Sequence, residues 1–426
     1  MPFHATPLFR IHVVGCKVNQ VEAAAVREAF LAAGWREART GEAPDAVLVH
    51  TCTVTARADR DCRRLIEQAA REHPHARIAA SGCLAELDPQ RLQAAGAGIV
   101  IPQSQRGAIV ANVSGRTAGS VPRNRNDGFF IRARRASQQR ARAQVKIQDG
   151  CDGACTYCRV RLARGPARSR PAEDVIAEVR GLVAEGVQEI VLVGVNTAAW
   201  RPGLEHLLTA LTALAGDFRL RVSSLEPQFL TPALIRALAA GEGRICPHLH
   251  LPVQSGDDGV LAAMGRSYTA SDLSARIRAL RAAVPGVVLT GDVITGFPGE
   301  REEAFHNTVA FVHDHGFTGL HIFPFSARPG TAAAELPDQI QEEVKSARAR
   351  DLRDRARAWA SARRAALAGA RVEVLLEQRV PGGVWRGTTE AYDRARIACP
   401  GRPGLRVAAR VTASDGEELL AEPCRP

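Results

Sequence analysis

Three cysteines fall within eight residues in the segment Gly150-Cys151-Asp152-Gly153-Ala154-Cys155-Thr156-Tyr157-Cys158. The run Val145–Ile147 just before it reads as a strand, so the thiols sit where a strand gives way to a loop. Three thiolates on one tight loop cannot complete a tetrahedral zinc site by themselves. Soft thiolates suit three irons of a [4Fe–4S] cube, which leaves the fourth iron open. An open iron can chelate the amino and carboxylate groups of S-adenosylmethionine (SAM). One electron then cleaves the sulfonium bond and frees a 5′-deoxyadenosyl radical. The alternative is a zinc ion completed by a His or Cys from elsewhere. The chain has ten cysteines, and its start shows no apolar export stretch. Disulfides are therefore not the expected use of these thiols, and the cytosol is the expected compartment.

The rest of the chain alternates strand-like and helix-like segments, which implies parallel sheets. The 426 residues suffice for several domains at roughly 100–200 residues each. Residues 1–120 read as a doubly wound parallel-sheet domain, with strands at Ile11–Val14, Ala46–Val49, Ile78–Ala80 and Gly98–Ile101. A helix is expected from Val21 to Ala33, ending at Gly34. Residues 121–144 form an Arg-rich linker, with seven Arg and one Asp between Arg123 and Arg142. Residues 145–336 hold six strand–helix units, a partial (β/α)6 barrel with chemistry expected at the C-terminal strand ends. Its strands are expected at 145–147, 189–193, 219–223, 245–251, 287–294 and 319–325. A helical connector covers 337–370. Residues 371–426 carry strand-like runs separated by turn signals and read as a small β-barrel suited to nucleic acid.

A second triplet follows the first three strands of the N-terminal domain. Cys16 lies in Gly-Cys-Lys-Val-Asn-Gln, Cys52 in Thr-Cys-Thr-Val-Thr, and Cys83 in Ser-Gly-Cys-Leu. Parallel strands end at one sheet edge, so residues just past those ends can converge. A single Cys after a strand is ordinary packing, but three at equivalent positions predict a site. Cys62, Cys246, Cys399 and Cys424 read as packing or incidental cysteines.

With both triplets in view, the layout resembles the radical-SAM methylthiotransferases. It is nearest the branch acting on N6-threonylcarbamoyladenosine at position 37 of tRNA. The resemblance rests on Gly-Cys-Lys-Val-Asn-Gln at 15–20, Cys-Thr-Val-Thr at 52–55 and Val-Lys-Ile-Gln-Asp-Gly-Cys at 145–151. It continues through Ser-Ser-Leu-Glu-Pro at 223–227, Leu-Pro-Val-Gln-Ser-Gly at 251–256, Asp-Val-Ile-Thr-Gly-Phe-Pro-Gly-Glu at 292–300 and Phe-Ser-Ala-Arg-Pro-Gly-Thr at 325–331. The resemblance implies two [4Fe–4S] clusters, on Cys16/Cys52/Cys83 and on Cys151/Cys155/Cys158, with SAM at the second. It also implies a C-terminal TRAM-like domain and methylthio insertion at C2 of the modified adenine. The implied partners are a tRNA anticodon stem-loop, an electron donor such as flavodoxin or ferredoxin, and a sulfur source. No membrane is involved. Isopentenyladenosine-37 or a ribosomal protein as substrate stays open, and so does a non-catalytic, zinc-stabilised RNA-binding protein.

SAM needs polar anchors besides iron. Tyr157 is implied beside its adenine, and Asn196, Glu226, Gln254, Ser255 and Arg328 follow or end expected barrel strands. Each reads equally as a loop-capping residue. The formal charge of +11 favours a polyanion partner. Arg159, Arg161, Arg164, Arg168 and Arg170 beside the cysteine loop are the candidate phosphate contacts, or else solvated loop charges.

Overall fold

A computed structural model describes residues 6–115 and 141–424. It divides into two compact units. The first holds the described part of Met1–Gln138 with Gln144–Gly153 and Cys158–Arg170. The second holds the described part of Gln139–Ala143, then Ala154–Tyr157 and the described part of Pro171–Pro426. Of the linker expected at 121–144, residues 121–140 lie outside the described residues.

The first unit starts as β1 (Leu8–Val13), α1 (Lys17–Ala32), β2 (Arg36–Glu37), β3 (Ala46–Thr51), α2 (Ala56–Glu72) and β4 (Arg77–Gly82). It continues as α3 (Cys83–Leu87), α4 (Pro89–Ala94), β5 (Ile99–Ile101) and α5 (Ile109–Ser114). The sheet order is β2-β1-β3-β4-β5, parallel throughout. β3 is buried along its whole length, as a central parallel strand must be when both faces are covered. Its side chains alternate between two cores. Val47 and Val49 pack with Cys62 and Ile66 of α2, whereas Ala46 and Leu48 pack with Val26 and Phe30 of α1. The sheet is therefore doubly wound, as expected. Helix α1 begins earlier than the apolar pattern predicts. The Asn19 amide donates to Val14 O (2.8 Å) and Thr51 O (2.9 Å), which fixes the first turn directly after Cys16.

The same unit includes β6 (Ala143–Lys146) from Gln144 onward, then β7 (Gln148–Asp149), α6 (Val160–Arg164) and β8 (Arg168–Ser169). β7 and β8 pair antiparallel.

In the second unit β9 (Glu189–Val193), β10 (Arg219–Val222), β11 (His248–Gln254), β12 (Val288–Thr295) and β13 (Phe317–Pro324) are the barrel strands. Neighbours are parallel from β9 to β13, with β10 and β11 joined by single bridges. The fourth barrel strand was expected at 245–251. Ile245 makes only an isolated bridge to Leu220, and regular pairing starts at His248. The covering helices are α7 (Ala172–Ala184), α8 (Leu204–Thr212), α9 (Pro232–Ala240), α10 (Asp258–Ala263), α11 (Ala270–Ala283) and α12 (Glu302–Asp314). Local sequence sets their starts. Thr231 accepts from Leu234 N before α9, and Thr269 with Asp272 forms a capping box before α11. Helix α13 (Glu342–Ala365) then leads to β14 (Arg371–Val380), β15 (Val384–Thr389), β16 (Arg394–Ala398), β17 (Arg406–Ser414) and β18 (Leu419–Pro423). These five close a barrel in the order β14-β15-β16-β18-β17 around Val374, Leu376, Trp385, Ile397 and Val411. Among the described residues, no helix is long and apolar enough to cross a membrane.

The N-terminal end of the partial barrel is closed by ion pairs. Glu189 of β9 accepts from Arg219 Nε (2.7 Å) and Arg221 Nε (2.9 Å) of β10. The same arginines reach the small barrel. Arg219 donates to Glu373 Oε2 (2.9 Å), and Arg221 donates to Thr389 O and Glu390 O. Burial raises the Glu189 carboxyl, but the guanidiniums of Arg221 and Arg219 outweigh it and hold it at about 2. A carboxyl depressed on folding contributes stability above its unfolded pKa and loses it as pH falls through the folded value. Stability of this unit against unfolding, followed by the fluorescence of Trp200, Trp359 and Trp385, should fall as pH drops from about 4.5 to 2. Glu189→Gln should flatten that dependence and cost about 3–5 kcal/mol at neutral pH, because it strands buried arginines. A mutant with wild-type stability at pH 7 would contradict this.

Candidate functional site

Cys16 follows β1, Cys52 follows β3 and Cys83 follows β4, three adjacent parallel strands. The triplet therefore gathers at one edge, as the spacing predicts. Burial raises the Cys52 thiol to about 12, with Cys16 and Cys83 the next causes, so the three sulfurs sense one another's charge. Cys83 is raised too, first by burial and against the pull of Arg164. Thiols that oppose each other's ionisation are relieved by a cationic metal core, which deprotonates the thiols it binds.

Two glycines let the chain deliver these cysteines. Gly15 has φ +107°, and a Cβ there would lie 2.4 Å from Cys52 Cβ and 2.6 Å from its sulfur. Gly82 has φ +100°, and a Cβ there would lie 2.4 Å from Thr51 O. Side-chain hydrogen bonds complete the cradle. Thr51 Oγ1 donates to Ser81 O (2.7 Å) and accepts from Leu84 N (3.2 Å), fixing the turn that presents Cys83. The Cys62 sulfur accepts from Cys52 N (3.4 Å) inside the α2 core, so this cysteine packs behind the site, as expected.

Arg164 Nε donates to Cys83 Sγ (3.2 Å), and its guanidinium also bonds Asn19 Oδ1, both oxygens of Glu22 and Asp149 Oδ1. Arg106 and Lys146 complete a buried network around Glu22 and Asp149. This corrects the reading of Arg164 and Arg170 as phosphate contacts or solvated charges. Arg164 and Arg170 are buried, and Arg170 donates to Lys146 O. Arg159 bonds Thr53 Oγ1 (3.2 Å) and faces Asp59. Of the five arginines, Arg161 is the exposed one.

In the Cys151/Cys155/Cys158 triplet the sulfurs are targets of donors. Cys151 Sγ accepts from Gly153 N (3.3 Å) and Cys158 Sγ from Val160 N (3.4 Å), both in the first unit. In the second unit, Arg266 Nη1 donates to Cys155 Sγ (3.2 Å). Donors aimed at sulfur, together with partial exposure of all three cysteines, fit thiolates that hold a cluster. Among the described residues, Cys16, Cys52 and Cys83 are not drawn into the spacing that a single metal ion needs.

Tyr157 packs edge-on against Phe297 (6.4 Å between ring centroids), and its hydroxyl lies 3.5 Å from Arg266 Nη1. Asn196, Glu226, Gln254 and Arg328 each end or follow the C-terminal end of a parallel strand of the partial barrel. Glu226 Oε2 accepts from Arg266 Nη2 (2.5 Å). Burial nonetheless raises its carboxyl, with Arg266 opposing. Gln254 holds φ +68°, a strained backbone for a residue with a side chain, of the kind that collects at ligand clamps. Ser255 is enclosed, its hydroxyl bonded to Thr308 Oγ1 (3.0 Å) and accepting from Asp257 N (3.2 Å). The pattern read from the chain did not single out Arg266. It joins Cys155, Glu226 and Pro252 O through folding alone, and no local motif marks it.

Residues 145–312 match the Radical SAM superfamily, and residues 8–101 match the uncharacterized protein family UPF0004. The radical-SAM methyltransferase TsrM of Kitasatospora setae shares the fold at a TM-score of 0.58 and 16% identity, covering 77% of each chain. Together with the three-cysteine loop, these matches define a radical-SAM enzyme, a class that carries a [4Fe–4S] cluster and SAM. The chain is 37% identical to the threonylcarbamoyladenosine tRNA methylthiotransferase MtaB of Bacillus subtilis (strain 168), over 79% of this chain and 77% of that protein. It is 33% identical to the tRNA-2-methylthio-N(6)-dimethylallyladenosine synthase of Sorangium cellulosum (strain So ce56), over 92% and 87%. The chain belongs to the radical-SAM methylthiotransferase family.

Gly15→Ala should cost about 1–2 kcal/mol for the left-handed backbone alone, before any clash with Cys52. Native-state hydrogen exchange of the β1 and β3 amides should show that loss, and exchange at the wild-type rate would contradict the packing described.

Proposed function

We propose that this enzyme adds a methylthio group at C2 of N6-threonylcarbamoyladenosine at position 37 of tRNA, in an anticodon stem-loop. One observation carries the reading. Two separate cysteine triplets, each one ligand short of a closed metal site, occur in one chain that belongs to this family. Cys151, Cys155 and Cys158 hold the SAM-binding cluster, and Cys16, Cys52 and Cys83 hold a second [4Fe–4S] cluster on the sulfur-handling side. When bound, the SAM cluster supplies the one-electron chemistry that an aromatic C–H requires and that side-chain acids and bases lack near neutral pH.

The chain's own residues position the reactants. Arg266 donates to Cys155 Sγ while it holds Glu226, so the thiolate and a rim carboxylate are oriented together. Asn196, Glu226, Gln254 and Arg328 are the polar rim against which the amino acid part of SAM binds. The Ser255 hydroxyl supports the Gln254 turn from behind. Arg164 steadies Cys83 from within the buried network, and Gly15 leaves the room that Cys52 occupies. A flavodoxin- or ferredoxin-type electron donor and a sulfur source complete the reaction, which takes place in the cytoplasm. The threonylcarbamoyl substrate is supported by the name of the Bacillus subtilis relative. The Sorangium cellulosum relative supports dimethylallyladenosine as the second reading.

The test is mass spectrometry of tRNA nucleosides from a host lacking its own methylthiotransferases, with and without this gene. Appearance of 2-methylthio-N6-threonylcarbamoyladenosine is the expected result. The dimethylallyl analogue instead would favour the second reading, and the absence of both products would overturn the proposal.

A further inference from the structure

Three side chains in the partial barrel form a group that the methylthiotransferase reading does not use. His250, Asp292 and His321 come from β11, β12 and β13, and their ligand atoms all lie within 4.8 Å of one another. Asp292 Oδ1 lies 3.2 Å from His250 Nε2 and 3.2 Å from His321 Nδ1. Two ligands bound to one ion at about 2.0–2.1 Å in tetrahedral geometry stand roughly 3.3 Å apart. The two measured edges match that spacing.

The backbone holds the group in register. Asp292 pairs directly with His321, and His250 pairs with Thr290, which lies two residues before Asp292 on the same strand face. Three adjacent strands of one sheet are a rigid support for ligands. The second ring nitrogen of His250 is occupied, since Nδ1 lies 3.0 Å from Thr290 Oγ1. That contact leaves Nε2 turned to the site, the arrangement by which outer partners orient metal-binding imidazoles. Thr290 Oγ1 is itself held by His248 Nε2 at 2.9 Å. His250 is nearly buried, whereas His321 is exposed, which gives an ion a way in.

We propose that His250, Asp292 and His321 bind one divalent transition-metal ion of the zinc or ferrous type, with its remaining positions open to exogenous ligands. Two imidazoles and one carboxylate suit such ions and leave room for an exogenous oxygen ligand. The site is distinct from both cysteine triplets, and it does not depend on which nucleoside the enzyme modifies.

The probe is Zn2+, added by equilibrium dialysis to the full chain after anaerobic cluster reconstitution. Bound zinc is counted by mass spectrometry and its surroundings read by X-ray absorption. The expected result is one zinc per chain with nitrogen and oxygen neighbours at about 2.0–2.1 Å and no sulfur shell near 2.3 Å. His321→Ala and Asp292→Asn should abolish that binding and leave cluster iron unchanged. Thr290→Val, which removes only the outer partner, should weaken it about 10–100-fold. No zinc on the wild-type chain, a sulfur shell, or equal binding by wild type and His321→Ala would each overturn the proposal. The group would then be a hydrogen-bonded His–Asp–His network.

Discussion

Two buried carboxylates, Glu22 and Asp149, hold three buried cations around them. Arg106, Lys146 and Arg164 all reach both acids at 2.6–2.9 Å. Burial raises each carboxyl and lowers Lys146, yet the mutual attraction leaves both acids well below their ordinary range. No member can be removed singly without stranding a charge in the interior. The network draws on α1, on the turn before α5, on the β6–β7 segment and on α6. It also reaches chemistry directly, because Arg164 spends its Nε on the Cys83 sulfur. The first cysteine cradle therefore depends on residues that follow the radical-SAM loop in sequence.

This explains which parts of the chain could be read from its sequence. The cysteine spacings survive into the fold because each Cys stands next to a strand end, and strand ends in a parallel sheet share an edge. The alternation of β3, with Val47 and Val49 toward one core and Ala46 and Leu48 toward the other, is likewise visible in its apolar run. Arginine roles were not visible. Arg161 and Arg164 sit on one short helix and have the same local chemistry. One is exposed, while the other is enclosed among Glu22, Asp149 and Cys83. Partners 15 to 142 positions away decide the difference, and no local pattern carries that information. Arg266 escaped notice for the same reason, as did the early start of α1, which follows from the reach of Asn19 to two carbonyls.

The partial barrel shows a related division of labour. Its N-terminal end is closed by Glu189 with Arg219 and Arg221, and His248 stacks on Tyr392 of the small barrel at 4.5 Å. Polar side chains recur on the barrel strands and their ends, where Thr290 bonds His248, Asp292 lies beside His250 and Glu226 holds Arg266. A barrel filled by apolar side chains would be more stable, so this polar interior is expensive to maintain.

The central claim is that both cysteine triplets hold clusters. Iron counting with Mössbauer spectroscopy on the anaerobically reconstituted full chain tests it most directly. The account predicts about eight irons per chain in [4Fe–4S] form, falling to about four in Cys16→Ala/Cys52→Ala/Cys83→Ala, with the remaining cluster unchanged. About four irons in both proteins would contradict it.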